Sequence, residues 1–186
     1  VPPPPTPPRA VSPGNSVADT LLGSIGDDVV IAGDGDDMVN GGDGADTLLG
    51  RGGNDTLNGD DDADILIGGT GNDTLNGGNG HDLLRGGKGD DTLGGGAGDD
   101  VLYGEAGADT FIFDGGADEI RDFEQGIDQI TLDASLWTGL TSAADVLFTF
   151  GSINGTQATL DLGGGNVLII EGGTDYSIFA DDIALF

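Results

Sequence analysis

Aspartate recurs every nine residues through the middle of this sequence. Residues 23–112 divide into ten consecutive nine-residue blocks without an insertion, and the sixth position of every block is aspartate. Carboxylate oxygens are the ligands that hard cations prefer, and the short aspartate side chain suits a tight loop. The spacing therefore predicts a row of cation sites. The ten residues are Asp28, Asp37, Asp46, Asp55, Asp64, Asp73, Asp82, Asp91, Asp100 and Asp109.

The overall charge supports cation binding. The 186 residues include 34 acidic and 5 basic ones, for a net charge of −29, and the acids are 30 aspartates and 4 glutamates. Such a chain repels nucleic acid and anionic membranes, so neither is an expected partner. No apolar run approaches the ~18 residues that predict a membrane span, and no signal peptide is recognisable. Cysteine is absent, which excludes disulfides and thiolate metal sites.

Glycine and one apolar residue in each block indicate the elements that carry these aspartates. Position eight is apolar in all ten blocks, and position four is glycine in all but one, where Asp62 stands. Glycine supplies the positive φ that a turn needs, and aspartate tolerates it better than most residues. We predict a six-residue turn and a three-residue strand in each block, with the eighth residue inside. One apolar residue cannot form a core alone, so successive strands must stack.

A second period, of 18 residues, predicts two strands in each coil. The seventh and ninth residues are mostly apolar in alternate blocks, as at Val29 and Ile31, and mostly polar in the others, as at Thr56 and Asn58. One sheet should therefore have a solvent-exposed face of Thr and Asn side chains, and the other a more apolar face. We interpret the Thr/Asn face as a simple solvated surface, which we favour over a binding surface. Degenerate copies of the repeat flank the array and contain Asp19 and Asp118. A last degenerate copy, with Asp128 and Ile130, is displaced by one residue.

The block pattern G-G-x-G-x-D-x-U-x, in which U is a large apolar residue, resembles the RTX (repeats-in-toxin) calcium-binding repeat. Gly41–Leu49 and Gly68–Asn76 are two of the matching blocks. Gly107–Asp114, followed by Asp122–Glu124, resembles the segment that closes such arrays in secreted proteases, lipases and polysaccharide epimerases. The resemblance implies an all-β protein, a parallel β-roll (β-solenoid) with a C-terminal β-rich cap, that is secreted and extracellular.

The resemblance also implies how calcium is held. Each ion lies between two loops 18 residues apart. The earlier loop supplies the carbonyl oxygens of its second and fourth positions and its aspartate, and the later loop those of its first and third positions and its aspartate. Six oxygens, two of them anionic, suit Ca²⁺, and we expect roughly eight to ten ions. The predicted ligand residues are Asp19, Ser24, Gly26, Asp28, Ala32, Gly33, Asp34, Gly35, Asp37, Gly41, Gly42, Asp43, Gly44, Asp46, Gly50, Arg51, Gly52, Gly53, Asp55, Gly59, Asp60, Asp61, Asp62, Asp64, Gly68, Gly69, Thr70, Gly71, Asp73, Gly77, Gly78, Asn79, Gly80, Asp82, Gly86, Gly87, Lys88, Gly89, Asp91, Gly95, Gly96, Ala97, Gly98, Asp100, Gly104, Ala106, Asp109, Phe113, Gly115 and Asp118.

Three regions follow one another along the chain. Residues 1–13 are a Pro-rich linker, residues 14–131 the calcium-binding roll, and residues 132–186 a β-rich cap with a secretion signal. The last six residues, Asp181–Phe186, are similar to the C-terminal signal of type I secretion substrates. A plain cap on the solenoid end is the alternative interpretation, and both can hold.

Within the cap, local composition predicts a few short elements. We expect strands that contain Phe148 and Phe150, Ala158 to Leu162, and Val167 to Ile170, with a hairpin turn at residues 163–165. Thr141–Val146 is predicted as a single helical turn.

A catalytic constellation is missing from the sequence. His81 is the only histidine, and it stands at the variable fifth position of its block, where we predict a solvated loop residue. No G-x-S-x-G nucleophile motif occurs. We therefore predict that this chain is not an enzyme by itself.

Two classes of function remain. In the first, the chain begins inside a longer exoprotein, since Val1 is not Met, and serves its folding and its export by the type I secretion machinery. The upstream domain of that polypeptide would be a hydrolase, an epimerase or a toxin. In the second, the chain is a polysaccharide- or cell-surface-binding module of adhesin or epimerase R-module type. Aromatic residues are few and scattered, so an anionic polysaccharide would need bridging calcium or the basic residues Arg51, Arg85, Lys88 and Arg121.

Overall fold

A computed structural model of the chain describes residues 9–11, 14, 16–133, 151–154, 157–171 and 183–185. Regular structure in these residues is entirely β-strand, as predicted, and no helix long and apolar enough to cross a membrane occurs among them. The strands are β1 Arg9–Val11, β2 Thr20–Ile25, β3 Asp28–Asp34, β4 Met38–Asp43, β5 Thr47–Gly52, β6 Thr56–Asp61, β7 Ile65–Thr70, β8 Thr74–Asn79, β9 Leu83–Lys88, β10 Thr92–Ala97, β11 Val101–Ala106, β12 Thr110–Phe113, β13 Ala117–Ile120, β14 Gln129–Leu132, β15 Gly151–Asn154, β16 Gln157–Gly163, β17 Asn166–Glu171 and β18 Ile183–Leu185.

Successive strands alternate between two sheets. The first sheet has the order β1-β3-β5-β7-β9-β11-β13-β17-β16-β15, and the second has the order β18-β14-β12-β10-β8-β6-β4-β2. Neighbouring strands from β1 to β14 are parallel. Within the array each residue pairs with the one 18 positions later, as Leu48 does with Leu66. The chain is therefore a parallel β-roll with two strands in each coil, which confirms the predicted fold class.

The strands of the array are longer than the sequence predicted. β5 covers six residues, because it takes in the first three positions of the next block as well as the last three of its own. Arg51 and Gly52, at positions two and three, pair with Gly69 and Thr70 one coil later. The prediction of a three-residue strand and a six-residue turn is therefore wrong. Pairing between coils extends the strand into the glycine-rich stretch, and only positions four to six turn.

The core is a row of eighth-position side chains enclosed between the two sheets. Each of them is at most 2% exposed, which confirms that position eight points inward. Near the end of the array Phe111 packs against Phe123, with ring centroids 6.2 Å apart. The eighth-position residues are Val30, Val39, Leu48, Leu57, Leu66, Leu75, Leu84, Leu93, Leu102 and Phe111.

Both sheets continue into the C-terminal segment. β17 pairs in parallel with β13, and β18 pairs in parallel with β14. β15, β16 and β17 are antiparallel, and the predicted hairpin turn is confirmed at Gly164 and Gly165. The predicted helical turn at Thr141–Val146 and the strand residues Phe148 and Phe150 lie outside the described residues. At the other end, β1 pairs with β3, so the first sheet begins within the Pro-rich segment.

Candidate calcium sites

The sixth-position aspartates form two hydrogen-bonded ladders, one along each edge of the roll. In each ladder the main-chain N–H of one aspartate donates to Oδ1 of the aspartate one coil later. The first ladder consists of Asp19, Asp37, Asp55, Asp73, Asp91, Asp109 and Asp128. The second consists of Asp28, Asp46, Asp64, Asp82, Asp100 and Asp118. The weaker flanking copies seen in the sequence thus join the ladders, and Asp128 does so at the predicted one-residue displacement.

Hydrogen bonding satisfies only one oxygen of each central carboxylate. These side chains are at most 3% exposed, and their Oδ2 atoms have no hydrogen-bond partner. Burying a charged carboxylate oxygen without a partner is costly, so each of these groups calls for a cation or a proton. The residues concerned are Asp37, Asp46, Asp55, Asp64, Asp73, Asp82, Asp91 and Asp100.

Main-chain oxygens border the same gaps between coils. In the gap that follows Asp55, the carbonyl oxygens of Arg51 and Gly53 face the later coil. From that later coil, the carbonyl oxygen of Gly68 faces back, and that of Thr70 accepts the Gly53 N–H at 2.9 Å. One gap thus offers four main-chain oxygens beside its two carboxylates. No group of three or more His, Cys, Asp or Glu side chains suited to a metal occurs in the described part of the chain.

Glycine at the first position leaves space beside seven of the eight unpartnered oxygens; in the block of Asp37 the first residue is Ala32. A Cβ atom added at Gly59 would collide with the Asp64 carboxylate and with the carbonyl oxygen of Gly77. The space is therefore bordered by a carboxylate and a carbonyl oxygen, the two donor types that Ca²⁺ prefers. The same overlap with the aspartate of the block occurs at Gly41, Gly50, Gly68, Gly77, Gly86, Gly95 and Gly104.

This packing predicts opposite effects for two glycine-to-alanine substitutions. Gly59→Ala should destabilise the roll by about 1–3 kcal/mol, because the methyl group overpacks the space beside Asp64. Gly94→Ala is the matched control, since a Cβ there would meet only Ile112 at 3.7 Å. It should be neutral or stabilise the roll by up to about 1 kcal/mol. Thermal unfolding with calcium present measures both, and equal losses of stability would contradict the assigned packing.

Burial changes the proton affinity of these carboxyl groups. It raises the pKa of Asp55 to about 6 and those of Asp64 and Asp91 to about 7. It raises the pKa of Asp118 further, to about 8. Neighbouring aspartate charges add to the increase, and the ladder hydrogen bond from the main chain opposes it. Without a cation, several of these groups therefore exchange protons near neutral pH.

Among the described residues, four other than glycine adopt a positive φ, three at second positions within strands and Asp62 in a turn. They are Arg51 at 83°, Asp60 at 77°, Asp62 at 77° and Glu105 at 71°. Asp62 stands at the fourth position of its block, and Arg51, Asp60 and Glu105 stand where most blocks have their second glycine. The carbonyl oxygens of Arg51, Asp60 and Asp62 still face the later coil. These substitutions therefore leave the main-chain oxygens in the orientation that glycine gives elsewhere.

A second set of side-chain hydrogen bonds links the coils at the fifth position. Along the first edge, Asp36, Asn54, Asn72 and Asp90 each accept the main-chain N–H of the fifth residue one coil later. The fifth position varies among Asp, Asn, His and Ala in the sequence. The sequence nevertheless contains a sign of these contacts, because seven of the ten fifth residues are Asp, Asn or His, which carry a hydrogen-bond acceptor.

The fifth-position contacts are interrupted along the second edge. Ala45 and Ala63 carry no acceptor there, and the contacts resume at His81, whose Nδ1 accepts the Asp99 N–H at 3.0 Å. His81 is exposed, as predicted, yet it is hydrogen-bonded to the next coil. The two edges of the roll therefore differ in how firmly protein contacts alone hold them.

Restoring an acceptor on the second edge should stabilise the roll. In Ala63→Asn the new side-chain amide oxygen would accept the main-chain N–H of His81, as the Asn54 side chain accepts the main-chain N–H of Asn72. We expect about 1 kcal/mol of stabilisation, or a rise of about 2–4 °C in the unfolding temperature. Ala106→Asn is the control, because it adds the same side chain at an exposed third position. An equal rise in both variants would attribute the effect to something other than the fifth-position contact.

Comparisons with solved structures give two similar proteins. The extracellular lipase LipA from Serratia marcescens is 15% identical, and the match covers 97% of this chain and 40% of the lipase with a TM-score of 0.42. The AlgE6R3 subunit from the Azotobacter vinelandii mannuronan C5-epimerase is 24% identical, with 92% and 80% coverage and a TM-score of 0.24. This chain therefore spans less than half of the lipase. A search of curated proteins gives no match.

A family model gives a direct assignment. The RTX calcium-binding nonapeptide repeat matches four times, at residues 13–48, 40–75, 58–93 and 85–120. Together these matches cover more than half of the 186 residues, and they span both aspartate ladders from Asp19 to Asp118. The chain belongs to the RTX calcium-binding repeat family.

Proposed function

We propose that the chain binds several Ca²⁺ ions in the gaps between its coils. The observation that carries this proposal is the set of eight buried Oδ2 atoms without a partner, next to main-chain carbonyl oxygens. Each ion would be held by two successive ladder aspartates and by four main-chain carbonyl oxygens. Positions two and four of the earlier loop and positions one and three of the later loop would supply these carbonyls. Bound calcium supplies positive charge in place of a proton. Apart from Ser24, Gly26 and Asp28, the residues predicted from the sequence are the proposed ligands, in roughly the eight to ten sites expected for the array.

Equilibrium dialysis against Ca²⁺, with excess Mg²⁺ in a parallel experiment, tests this proposal. The expected result is several calcium ions on each chain that Mg²⁺ does not displace, because Mg²⁺ requires near-octahedral geometry and retains its waters. Absence of bound calcium at millimolar concentration would overturn it.

We further propose that calcium binding folds the module after export of a larger, secreted protein. Cytosolic calcium is too scarce to fill sites tuned like those of extracellular modules, at roughly 10⁻⁴–10⁻³ M. The chain would then cross the envelope unfolded and close its coils outside. The absence of cysteine is compatible with this route, since no oxidase is needed. In this proposal the roll is a structural module, and any catalytic or toxic activity belongs to an upstream domain of the same polypeptide.

The proposed export role depends on a C-terminal secretion signal, and the position of the last strand determines which substitution tests that signal. Residues 183–185 form β18, which pairs with β14, so deleting the end of the chain would also remove a strand. Replacing Asp181 and Asp182 together with asparagine leaves that strand in place. Secretion of a reporter fusion through a matched type I transporter should fall, whereas calcium-dependent folding should persist. Unchanged secretion would make the last residues a cap only.

A second candidate function is binding of an anionic polysaccharide on the outer face of the first sheet. Arg51, Arg85 and Lys88 lie on its strands β5 and β9, and Arg121 directly follows β13. Arg85 also lies over the Tyr103 ring, 5.1 Å from its centroid. Replacing Arg51 and Lys88 with glutamine should weaken retention on an immobilised anionic polysaccharide in calcium. Unchanged retention would exclude this face as the contact.

A further inference from the structure

Two aspartates at ladder ends differ from the central ones in their hydrogen bonds. Asp28, in the second ladder, accepts at Oδ2 the Ser24 N–H at 2.7 Å and the Ser24 hydroxyl at 2.9 Å. Asp128, in the first ladder, accepts at Oδ2 the Glu124 N–H at 2.7 Å. In both cases the donor lies four residues before the carboxylate. The oxygen that has no partner in the central aspartates is therefore satisfied from within its own coil.

The backbone φ of the second residue in the block differs in the same way between Asp28 and the central aspartates. Ser24 occupies that position in its block, and it has no positive φ. Serine strongly disfavours a positive φ, whereas glycine adopts it freely. In the blocks of Asp37 to Asp100, where the second residue has a positive φ, no donor reaches Oδ2. The second residues of these eight blocks are Gly33, Gly42, Arg51, Asp60, Gly69, Gly78, Gly87 and Gly96.

We propose that Ser24 closes the gap between the coils of Asp28 and Asp46 to calcium. This inference rests on the proposed calcium binding. In the first block, a Cβ added at Gly23 would lie 3.1 Å from Asp28 Oδ2 and would collide with the carbonyl oxygen of Gly41. Asp28 Oδ2 thus borders the same kind of space as in later coils, and the two Ser24 donors already occupy it.

Calcium in this gap would have to displace both Ser24 hydrogen bonds. In the next gap of the same ladder, Asp46 Oδ2 has no partner to lose. The ions of the second ladder therefore begin between Asp46 and Asp64. Asp28 Oδ1, the oxygen that accepts the ladder N–H in the later aspartates, is itself buried without a partner. In the gap toward Asp46, however, the Ser24 donors take the place of an ion at Asp28 Oδ2.

Counting bound calcium by native mass spectrometry tests the inference. Asp28→Asn should bind as many ions as the native chain, because its gap holds none, whereas Asp46→Asn should lose at least one. Ser24→Gly converts the first block to the glycine pattern and should gain one ion. Ser24→Ala is its matched control and should keep the native number, because it disfavours a positive φ and retains the N–H donor.

The outcomes separate this inference from the broader proposal. Loss of a calcium ion from Asp28→Asn, or an unchanged number in folded Ser24→Gly, would overturn the role of Ser24. If Ser24→Gly does not fold, the comparison of Asp28→Asn with Asp46→Asn still decides. Absence of calcium from the native chain would instead overturn the proposed function.

Discussion

Replacing Asp64 with asparagine should remove calcium from two neighbouring gaps at once. Asp64 Oδ1 accepts the Asp46 N–H at 2.7 Å, and the Asp64 N–H donates to Asp82 Oδ1 at 2.8 Å. Its unpartnered Oδ2 borders the gap toward Asp82. Asparagine can keep the ladder hydrogen bond, but it removes the negative charge and places an N–H₂ group where a cation would lie. We expect the calcium count to fall by two and the unfolding temperature in calcium to fall by at least several degrees.

A matched substitution in the same nine-residue block isolates the effect of burial. Asp61→Asn removes the same charge from an exposed side chain, whose Oδ1 accepts the Asn79 side-chain N–H at 2.7 Å. Asparagine can keep that contact, and the Asp61 carbonyl oxygen belongs to the main chain. This variant should keep the native calcium count. Equal losses in Asp64→Asn and Asp61→Asn would mean that general surface charge, and not the ladder, attracts calcium.

Acid should partly replace calcium in stabilising the roll. Burial raises the pKa of Asp64 and Asp91 to about 7 and that of Asp118 to about 8, whereas an unfolded aspartate titrates near 3.9. Between these values the folded state holds more protons than the unfolded state. Its stability therefore falls as the pH rises from about 4 to about 8. In calcium-free buffer, the folded fraction should be higher at about pH 5 than at about pH 7.5.

The calcium-bound chain should show the opposite dependence. Protons and calcium compete for the same carboxylates, so acid weakens calcium binding and lowers the unfolding temperature of the loaded roll. Far-UV circular dichroism on calcium-stripped and calcium-saturated samples across this pH range measures both trends. A calcium-free chain whose folded fraction does not change between the two pH values would contradict the raised pKa of the buried carboxyls.

Much of the architecture could be predicted from the sequence because the repeat carries it. The 18-residue alternation at positions such as Val29 and Thr56 indicated two strands in each coil, and the nine-residue spacing of the aspartates indicated a row of cation sites. Strand length could not be predicted, because the glycines common at positions one and two favour turns locally. Only pairing with the next coil, as between Arg51 and Gly69, makes that stretch a strand.

The hydrogen bonds of the sites were harder to predict. Ser24 was assigned as one more ligand position, because a sequence shows neither the φ of a residue nor the direction of its N–H. The carboxylate oxygen that Ser24 satisfies became apparent only beside the unpartnered oxygens of the later coils. At the fifth position, Asn54 and Asn72 are residues typical of loops, and their contact between coils depends on the register of the stacked turns.

The most direct test of this account is circular dichroism of the calcium-stripped chain at about pH 7.5, followed by addition of calcium. In the described part of the chain, nine buried carboxylate oxygens have no partner; together with a net charge of −29 they oppose folding without a cation. We expect little β-structure before addition and a full β spectrum afterwards, with no comparable response to Mg²⁺. A full β spectrum in the calcium-free sample would contradict this expectation.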